Sequence, residues 1–370
     1  MLTIISGLLL QDTIQLMLLV ILGAGASFDS VPHVPPTQIF SAHRPEFQTT
    51  HFENFRPPLA NQLFDTRPLF VGVMQDFPHC KEVIPLLRKS DIIVERELAI
   101  LREQAKTFPR GLQELIAIQF YIQMAIRECT KQWENVHRGI TNYATFLREL
   151  ERLRLQTGEN ICLVTFNYDT MLESAMIQVL GFEFPRLQSY IASRNYVVIK
   201  LHGSDNWIRE IDNERLTHPI QLIKAAERGL IVSDRYRIMH EQPIYDNGSV
   251  GLPALSIPVE RKDEFSCPET HVRTLTQILP KVTKIITIGW RGTETEFLQM
   301  LQEHLPVGAQ DLLVVSGDER GAHETIENLR VKNHAVQPWA ETTATHGFTG
   351  LINNLGVLES CLRRTRSSPT

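Results

Sequence analysis

Three apolar runs in this chain end in the same manner, and that ending constrains the fold more than any other feature. They are LVILGAGAS at 19–27, LVTFNYD at 163–169 and VIKLHGS at 198–204. A strand buried on both faces reads as unbroken apolar sequence, and parallel sheets are built from such strands. The carboxyl ends of those strands open onto the crevice where doubly wound α/β folds bind ligands. The first run ends in a glycine turn, the second in an Asn and an Asp, the third in a His. Apolar strands that deliver polar groups to one sheet edge point to a site with chemistry.

The remaining pattern alternates strand and helix. Strands are predicted at 18–22, 161–165, 196–201, 254–258, 284–288 and 311–315. Helices are predicted at 59–64, 83–106, 112–133, 140–154, 170–180 (closed by Gly181), 269–279, 294–304 and 320–329. This order predicts an α/β chain with a Rossmann-like, doubly wound parallel sheet. The helical pattern within 60–155 falls before the second strand and reads as an inserted subdomain. In its second helix Leu112, Leu115, Ile116, Ile118, Phe120 and Ile122 cover much of the surface, which places it inside the domain or against a partner. Residues 28–58, rich in Pro, His and Phe, read as a long loop over the pocket. Residues 206–253 give no clear period. The division expected is a leader or misplaced start at 1–16, since Met17 directly precedes the first strand, a main domain at 17–340, and an extension at 341–370. That extension ends in a basic tail with Arg363, Arg364 and Arg366.

Composition removes several classes of function. A net charge of −5 over 370 residues gives no basic field to collect nucleic acid or an anionic membrane, so neither is an expected partner. The apolar start, 1–22, is interrupted by Gln11, Asp12 and Gln15 and has no preceding basic residue, which argues against a membrane span. The five cysteines, Cys80, Cys129, Cys162, Cys267 and Cys361, form no CxxC pair. No metal is therefore expected, and the wide spacing fits a reducing, cytoplasmic compartment. Cys162, inside an apolar run, reads as a buried inert thiol.

Gly23-Ala24-Gly25-Ala26-Ser27 directly follows the first strand. One glycine permits a sharp turn and a second lets the backbone approach a pyrophosphate. The dehydrogenase fingerprint wants a third glycine where this chain has Phe28, and an acidic residue roughly 20 positions on. Glu46 is near that distance but lies in a Pro-rich stretch. The turn is either a nucleotide loop of another type or a tight strand-to-helix connection with no ligand. Asn167 and Asp169 sit where the second strand meets its helix. Capping of that helix suits Asp169, and a ligand role suits Asn167. His202 precedes Gly203; alone it reads as structural, and beside the other two motifs it reads as a general base.

GAGAS, TFNYD and KLHGS, in this order, resemble the sirtuin (silent information regulator) family of NAD-consuming enzymes, and especially its prokaryotic branch of NAD glycohydrolases in anti-phage defence. The resemblance runs from 18 to about 329. Ile288-Gly289-Trp290-Arg291-Gly292-Thr293 is similar to the family's late glycine segment near the adenosine, and Val314-Val315-Ser316 to the strand end at the adenine ribose. The chain departs from the family's deacylases, which carry two CxxC pairs on zinc, and it lacks their Pro-Asp-Phe-Arg lid sequence. Arg56-Pro57-Pro58 and Asp29 are candidates for that lid position.

The resemblance implies NAD as substrate, cleaved at its nicotinamide–ribose bond. It implies Asn167 and His202 as catalytic residues, and Gly23, Ala24, Gly25, Ser27, Asp169, Gly203, Gly289 and Ser316 as NAD-binding residues. It further implies a homo-oligomer or control by a partner such as a HerA-type ATPase or an Argonaute-like protein. The alternatives are a non-catalytic NAD or ADP-ribose sensing module, and a protein deacylase or ADP-ribosyltransferase.

Overall fold

The first apolar run folds as β1 (Met17–Leu22), buried at every position. It pairs in parallel with β2 (Asn160–Thr165) on one side and β7 (Val282–Ile288) on the other. β3 (Tyr196–Lys200) continues the sheet beyond β2, and β8 (Asp311–Val315) and β9 (Ala340–Ala344) continue it beyond β7. The order is β3-β2-β1-β7-β8-β9, all parallel. Chain order runs one way from β1 to β3 and the other way from β7 to β9, so β1 and β7 flank the topological switch point of a Rossmann-like sheet. The computed structural model describes residues 16–31, 52–89, 93–137, 139–239, 248–258, 265–308, 310–332, 334–338 and 340–364.

Helices cover both faces. After β1 comes α1 (Ala24–Ser30), then α2 (Pro68–Asp76), α3 (Val94–Ala105), α4 (Pro109–Val136) and α5 (Asn142–Thr157), all before β2. α6 (Met171–Leu180) follows β2 and stops at Gly181, which takes the left-handed conformation as its sequence predicts. The chain then forms α7 (Pro219–Ala225), α8 (Glu269–Ile278), α9 (Thr295–His304), α10 (Glu319–Ile326), α11 (Gly347–Asn353) and α12 (Leu355–Arg363).

Two cores organise these elements. One surrounds the parallel sheet and includes Tyr143, Phe146, Leu147 and Leu150 of α5. The other joins α2, α3 and α4 to Leu222, Ile223, Val250 and Leu255. The helical insertion is thus present, but its last helix packs with the sheet. Ile116, Ile118, Phe120 and Ile122 of α4 are buried within the second core.

Several elements differ from expectation. The helix predicted at 83–106 is two: a single turn at Ile84–Leu87, then α3. Between them the Arg88 side chain turns back to the carbonyls of Phe64 (2.5 Å) and Asp65 (3.1 Å). The expected loop at 28–58 begins later, because α1 continues to Ser30; Glu46 lies outside the described residues. The unreadable stretch contains an antiparallel sheet of β4 (Gly203–Ile211), β5 (Val232–Ile238) and β6 (Leu252–Leu255), in the order β5-β4-β6. β4 buries Ser204 and Asp205 beside Trp207, so its burial does not follow its polarity. The strand expected at 254–258 sits at Leu252–Leu255.

Residues read as an extension after 340 supply the sixth strand and two helices, with Phe348, Leu351, Leu358 and Leu362 in the main core. Arg363 pairs with Glu359 and Arg364 with Asp311. Residues 1–15 and Arg366 lie outside the described residues. All five cysteines are buried and free, and burial pushes the Cys162 thiol up to about 12. No described helix is long and apolar enough to cross a membrane.

His271 on α8 is fully buried. Its Nε2 meets the Leu187 carbonyl at 3.1 Å, while Nδ1 has no partner. Protonation would bury a cation, so desolvation lowers its pKa from 6.5 to about 4. A depressed imidazole stabilises the fold above 6.5, and that contribution is lost as pH falls toward 4. His271→Gln should remove roughly 2 kcal/mol of the stability difference between pH 7 and pH 5, read from urea midpoints. An unchanged difference would show that the imidazole titrates normally.

Candidate functional site

The site is built by the turns that follow the strands of the parallel sheet. After β1, the Gly23 N–H donates to the Ile288 carbonyl (3.0 Å) and the Gly25 N–H to the Gly289 carbonyl (3.1 Å). A Cβ on Gly23 would lie 2.4 Å from the Gly289 oxygen, and one on Gly25 would lie 2.9 Å from the Gly289 Cα. Gly289 itself has φ +60, and its Cβ would meet the Ala26 nitrogen at 2.4 Å. The three glycines therefore let two turns interlock backbone to backbone at the switch point. This need exists without any ligand, and it occupies the Gly25 N–H.

Ser27, one turn into α1, is 1 % exposed. Its Oγ shares a hydrogen bond with the Tyr143 hydroxyl at 2.9 Å. From the end of β2, Asn167 Nδ2 donates to Ser27 Oγ (2.9 Å) and to Tyr143 Oη (3.2 Å). Asn167 Oδ1 is buried with no hydrogen-bond partner. Asp169 Oδ1 accepts the N–H of Met171 (3.2 Å), the first residue of α6, from one position before the N-cap Thr170, which makes no side-chain cap bond. Burial pushes the Asp169 carboxyl upward; the Lys200 ammonium, the Ser27 hydroxyl and the Met171 N–H oppose that shift. Lys200, fully buried on β3, donates to the Asp169 carbonyl (2.5 Å) and pairs with Glu173 (2.9 Å), which also accepts from Tyr190 (3.0 Å). Lys200 thus ties the end of β3 to the loop carrying Asn167.

His202 follows β3 and lies in the cleft wall. Its ring meets the Phe166 ring edge-on, with centroids 4.8 Å apart, and Phe166 stacks on Trp290 at 5.6 Å and 5°. The His202 carbonyl accepts from Ser256, and the Ser256 carbonyl accepts from Tyr168 at 2.7 Å. The His202 backbone and the Tyr168 side chain are thereby both tied to Ser256, directly after β6. Gly203 has φ +79 and a Cβ position 1.9 Å from the Ala254 carbonyl oxygen. It lies outside the cleft lining, where it starts β4.

The cleft measures ≈ 1730 Å³. Gly23, Ala24, Gly25, Ser27, Asn167, Asp169, His202, Gly289 and Ser316 all line it. The segment after β9 joins the lining beside Ser316: the Ser316 carbonyl accepts from Gly347 (2.7 Å), and His346, Gly347 and Phe348 line the cleft. The helical block contributes Asn61, Phe64, Arg88, Lys89 and Glu95 among others. Of the two lid candidates, Pro57 and Pro58 line the cleft, while the Arg56 guanidinium is buried against Glu53 and the carbonyls of Phe28 and Val31. Asp29 lines the cleft and accepts the Thr349 N–H (2.6 Å) in the first turn of α11. Among the described residues no three His, Cys, Asp or Glu side chains are grouped as metal ligands.

Sequence reasoning missed Tyr143, Phe166, Trp290 and the segment 346–348. Phe166 and Trp290 lie inside the quoted motifs and look like ordinary apolar residues there. Tyr143 carries no local signal, since it lies 24 residues before Asn167 in the chain.

No family model and no curated protein sequence matches the chain. Among solved structures it is similar to a Sir2 homologue S24A mutant–ADP ribose complex, at 14% identity and a TM-score of 0.37, covering 94% of this chain and 90% of that one. It is also similar to a structure described as the structural basis of sirtuin substrate affinity, at 13% identity and a TM-score of 0.39, covering 93% of each chain.

The interlock makes a direct prediction. Gly289→Ala should cost about 2 kcal/mol or more, through the positive φ and the backbone clash together. Gly317→Ala, on the same cleft wall with nothing within 4 Å of its Cβ position, should leave the urea midpoint nearly unchanged. Equal midpoints for the two variants would contradict the interlock.

Proposed function

We propose that the cleft binds NAD and that the protein is an NAD glycohydrolase. The observation that carries this reading is the pair Asn167 and His202, set by the ends of adjacent strands in one cleft wall beside the β1–α1 turn. A buried acceptor without a partner costs about 1–3 kcal/mol, and a ribose hydroxyl or a held water at Asn167 Oδ1 would recover it. Gly23, Ala24, Gly25 and Ser27 would lie along the pyrophosphate. Gly289 and Ser316 would face the adenosine, and the Phe166–Trp290 stack would shield the imidazole.

In this reading the nicotinamide–ribose bond breaks with its electron pair going to nicotinamide, through an oxocarbenium-like ribose. Water adds to the ribose carbon, and His202 takes the proton from that water or from a ribose hydroxyl. The products are nicotinamide, ADP-ribose and one proton. Firm binding of the remainder of the dinucleotide holds the reacting carbon beside Asn167. The proposal extends, on the sequence resemblance, to a cytoplasmic NAD-depleting effector of anti-phage defence. Its control would come from homo-oligomerisation or from a partner such as a HerA-type ATPase or an Argonaute-like protein.

One observation favours a second reading. The cleft exceeds the ~300–1,000 Å³ of ordinary ligand pockets and continues onto the helical block. That part has room for an acceptor, as a deacylase or ADP-ribosyltransferase requires.

Incubation of the purified protein with NAD, followed by chromatography, distinguishes these readings. The hydrolase releases nicotinamide and ADP-ribose without an acceptor, and His202→Ala and Asn167→Ala each lower kcat by about 10²-fold or more. Release at the wild-type rate in either variant would remove that residue from the mechanism. Calorimetric NAD binding without release would mark a sensing module.

A further inference from the structure

We infer that Tyr143, from the inserted helices and not from any strand end, is the positioning residue that sets the direction of the Asn167 amide. The inference rests on the reading of Asn167 as a ligand-facing group. Tyr143 lies in the first turn of α5 and is 1 % exposed. Its hydroxyl is 2.9 Å from Ser27 Oγ and 3.2 Å from Asn167 Nδ2. Burial holds the phenol well above its ordinary pKa, so it stays protonated.

The geometry of this cluster fixes the amide. Ser27 Oγ and Tyr143 Oη share one hydrogen bond, and each oxygen keeps a lone pair within reach of the Asn167 NH₂ group. Asn167 turns Nδ2 toward both, which leaves Oδ1 as the acceptor without a partner. Two acceptors on one NH₂ group hold the amide in that direction, and Tyr143 supplies one of them.

The first turn of α5 is itself fixed on its other side. Asn142 Nδ2 donates to the Asp29 carbonyl (3.2 Å) and to Thr349 Oγ1 (2.9 Å). The Tyr143 ring packs edge-on against Phe348, centroids 5.3 Å apart. Tyr143→Phe keeps that ring contact and removes only the hydroxyl.

The test uses two readouts on the full chain. The first needs no substrate: the Asn167 side-chain amide resonance, labelled with ¹⁵N-asparagine and assigned by its loss in Asn167→Asp. In Tyr143→Phe its proton exchange should rise about tenfold, as expected for one lost hydrogen bond. The second is nicotinamide release, in which kcat should fall about tenfold with KM nearly constant. A tyrosine that only packs would move neither. Unchanged amide exchange in a folded Tyr143→Phe protein overturns the inference, whatever the activity. A wild type that neither binds nor cleaves NAD overturns the proposed function instead, and the amide readout still decides the inference. Should Tyr143→Phe fail to fold, Ser27→Ala removes the other acceptor of the same NH₂ group and carries the same expected exchange increase.

Discussion

Two turns of backbone touch at the centre of this molecule, and the remaining architecture is arranged around that contact. The turn after β1 and the turn after β7 approach so closely that no side chain fits between Gly23, Gly25 and Gly289. The contact lies at the switch point of the sheet, where helices connecting its two halves leave in opposite directions. It closes the floor of the crevice and sets how far apart the two walls stand. One wall carries the turns after β2 and β3, with Asn167 and His202. The other carries the turns after β8 and β9, with Ser316 and His346.

Buried polar groups then fix what the walls present. Lys200 reaches from β3 to the loop after β2, and its charge is balanced by Glu173 while its proton donors are used on Glu173 and the Asp169 carbonyl. Taking such a group out of water is tolerable only when its partners are held in place, so the network is costly to disturb. Asp169 accepts the Met171 N–H at the start of α6, and its carbonyl takes the Lys200 ammonium. Through Ser27 and Tyr143 the helical insertion becomes part of the wall. A shift of α5 would reach Asn167 directly, without passing through the sheet.

The sheet was legible because parallel strands announce themselves. β1 is apolar throughout, β2, β3, β7 and β8 each carry an apolar run between a few polar residues, and their predicted positions fall within a residue or two of the observed ones. β9 was not legible: AETTA has no apolar run, and as an edge strand it is half-buried or exposed at every position. β4 misleads in another way, because Ser204 and Asp205 are buried by tertiary packing that no local pattern encodes. At the site, strand-end residues could be read from their motifs. Two features could not. The motif leaves the glycines open between a nucleotide loop and a ligand-free turn, and their mutual contact comes from tertiary packing; Tyr143 shares the helical spacing of Phe146, Leu147 and Leu150 and so reads as an ordinary core residue.

The central claim is that this crevice holds a dinucleotide across the switch point. A crystal structure of the protein with ADP-ribose tests it most directly. The account predicts the pyrophosphate along the turn at 23–27, the adenosine beside Gly289 and Ser316, and the free ribose within hydrogen-bond distance of Asn167 Oδ1. ADP-ribose bound elsewhere, or a crevice that stays empty while calorimetry shows no binding, would contradict it.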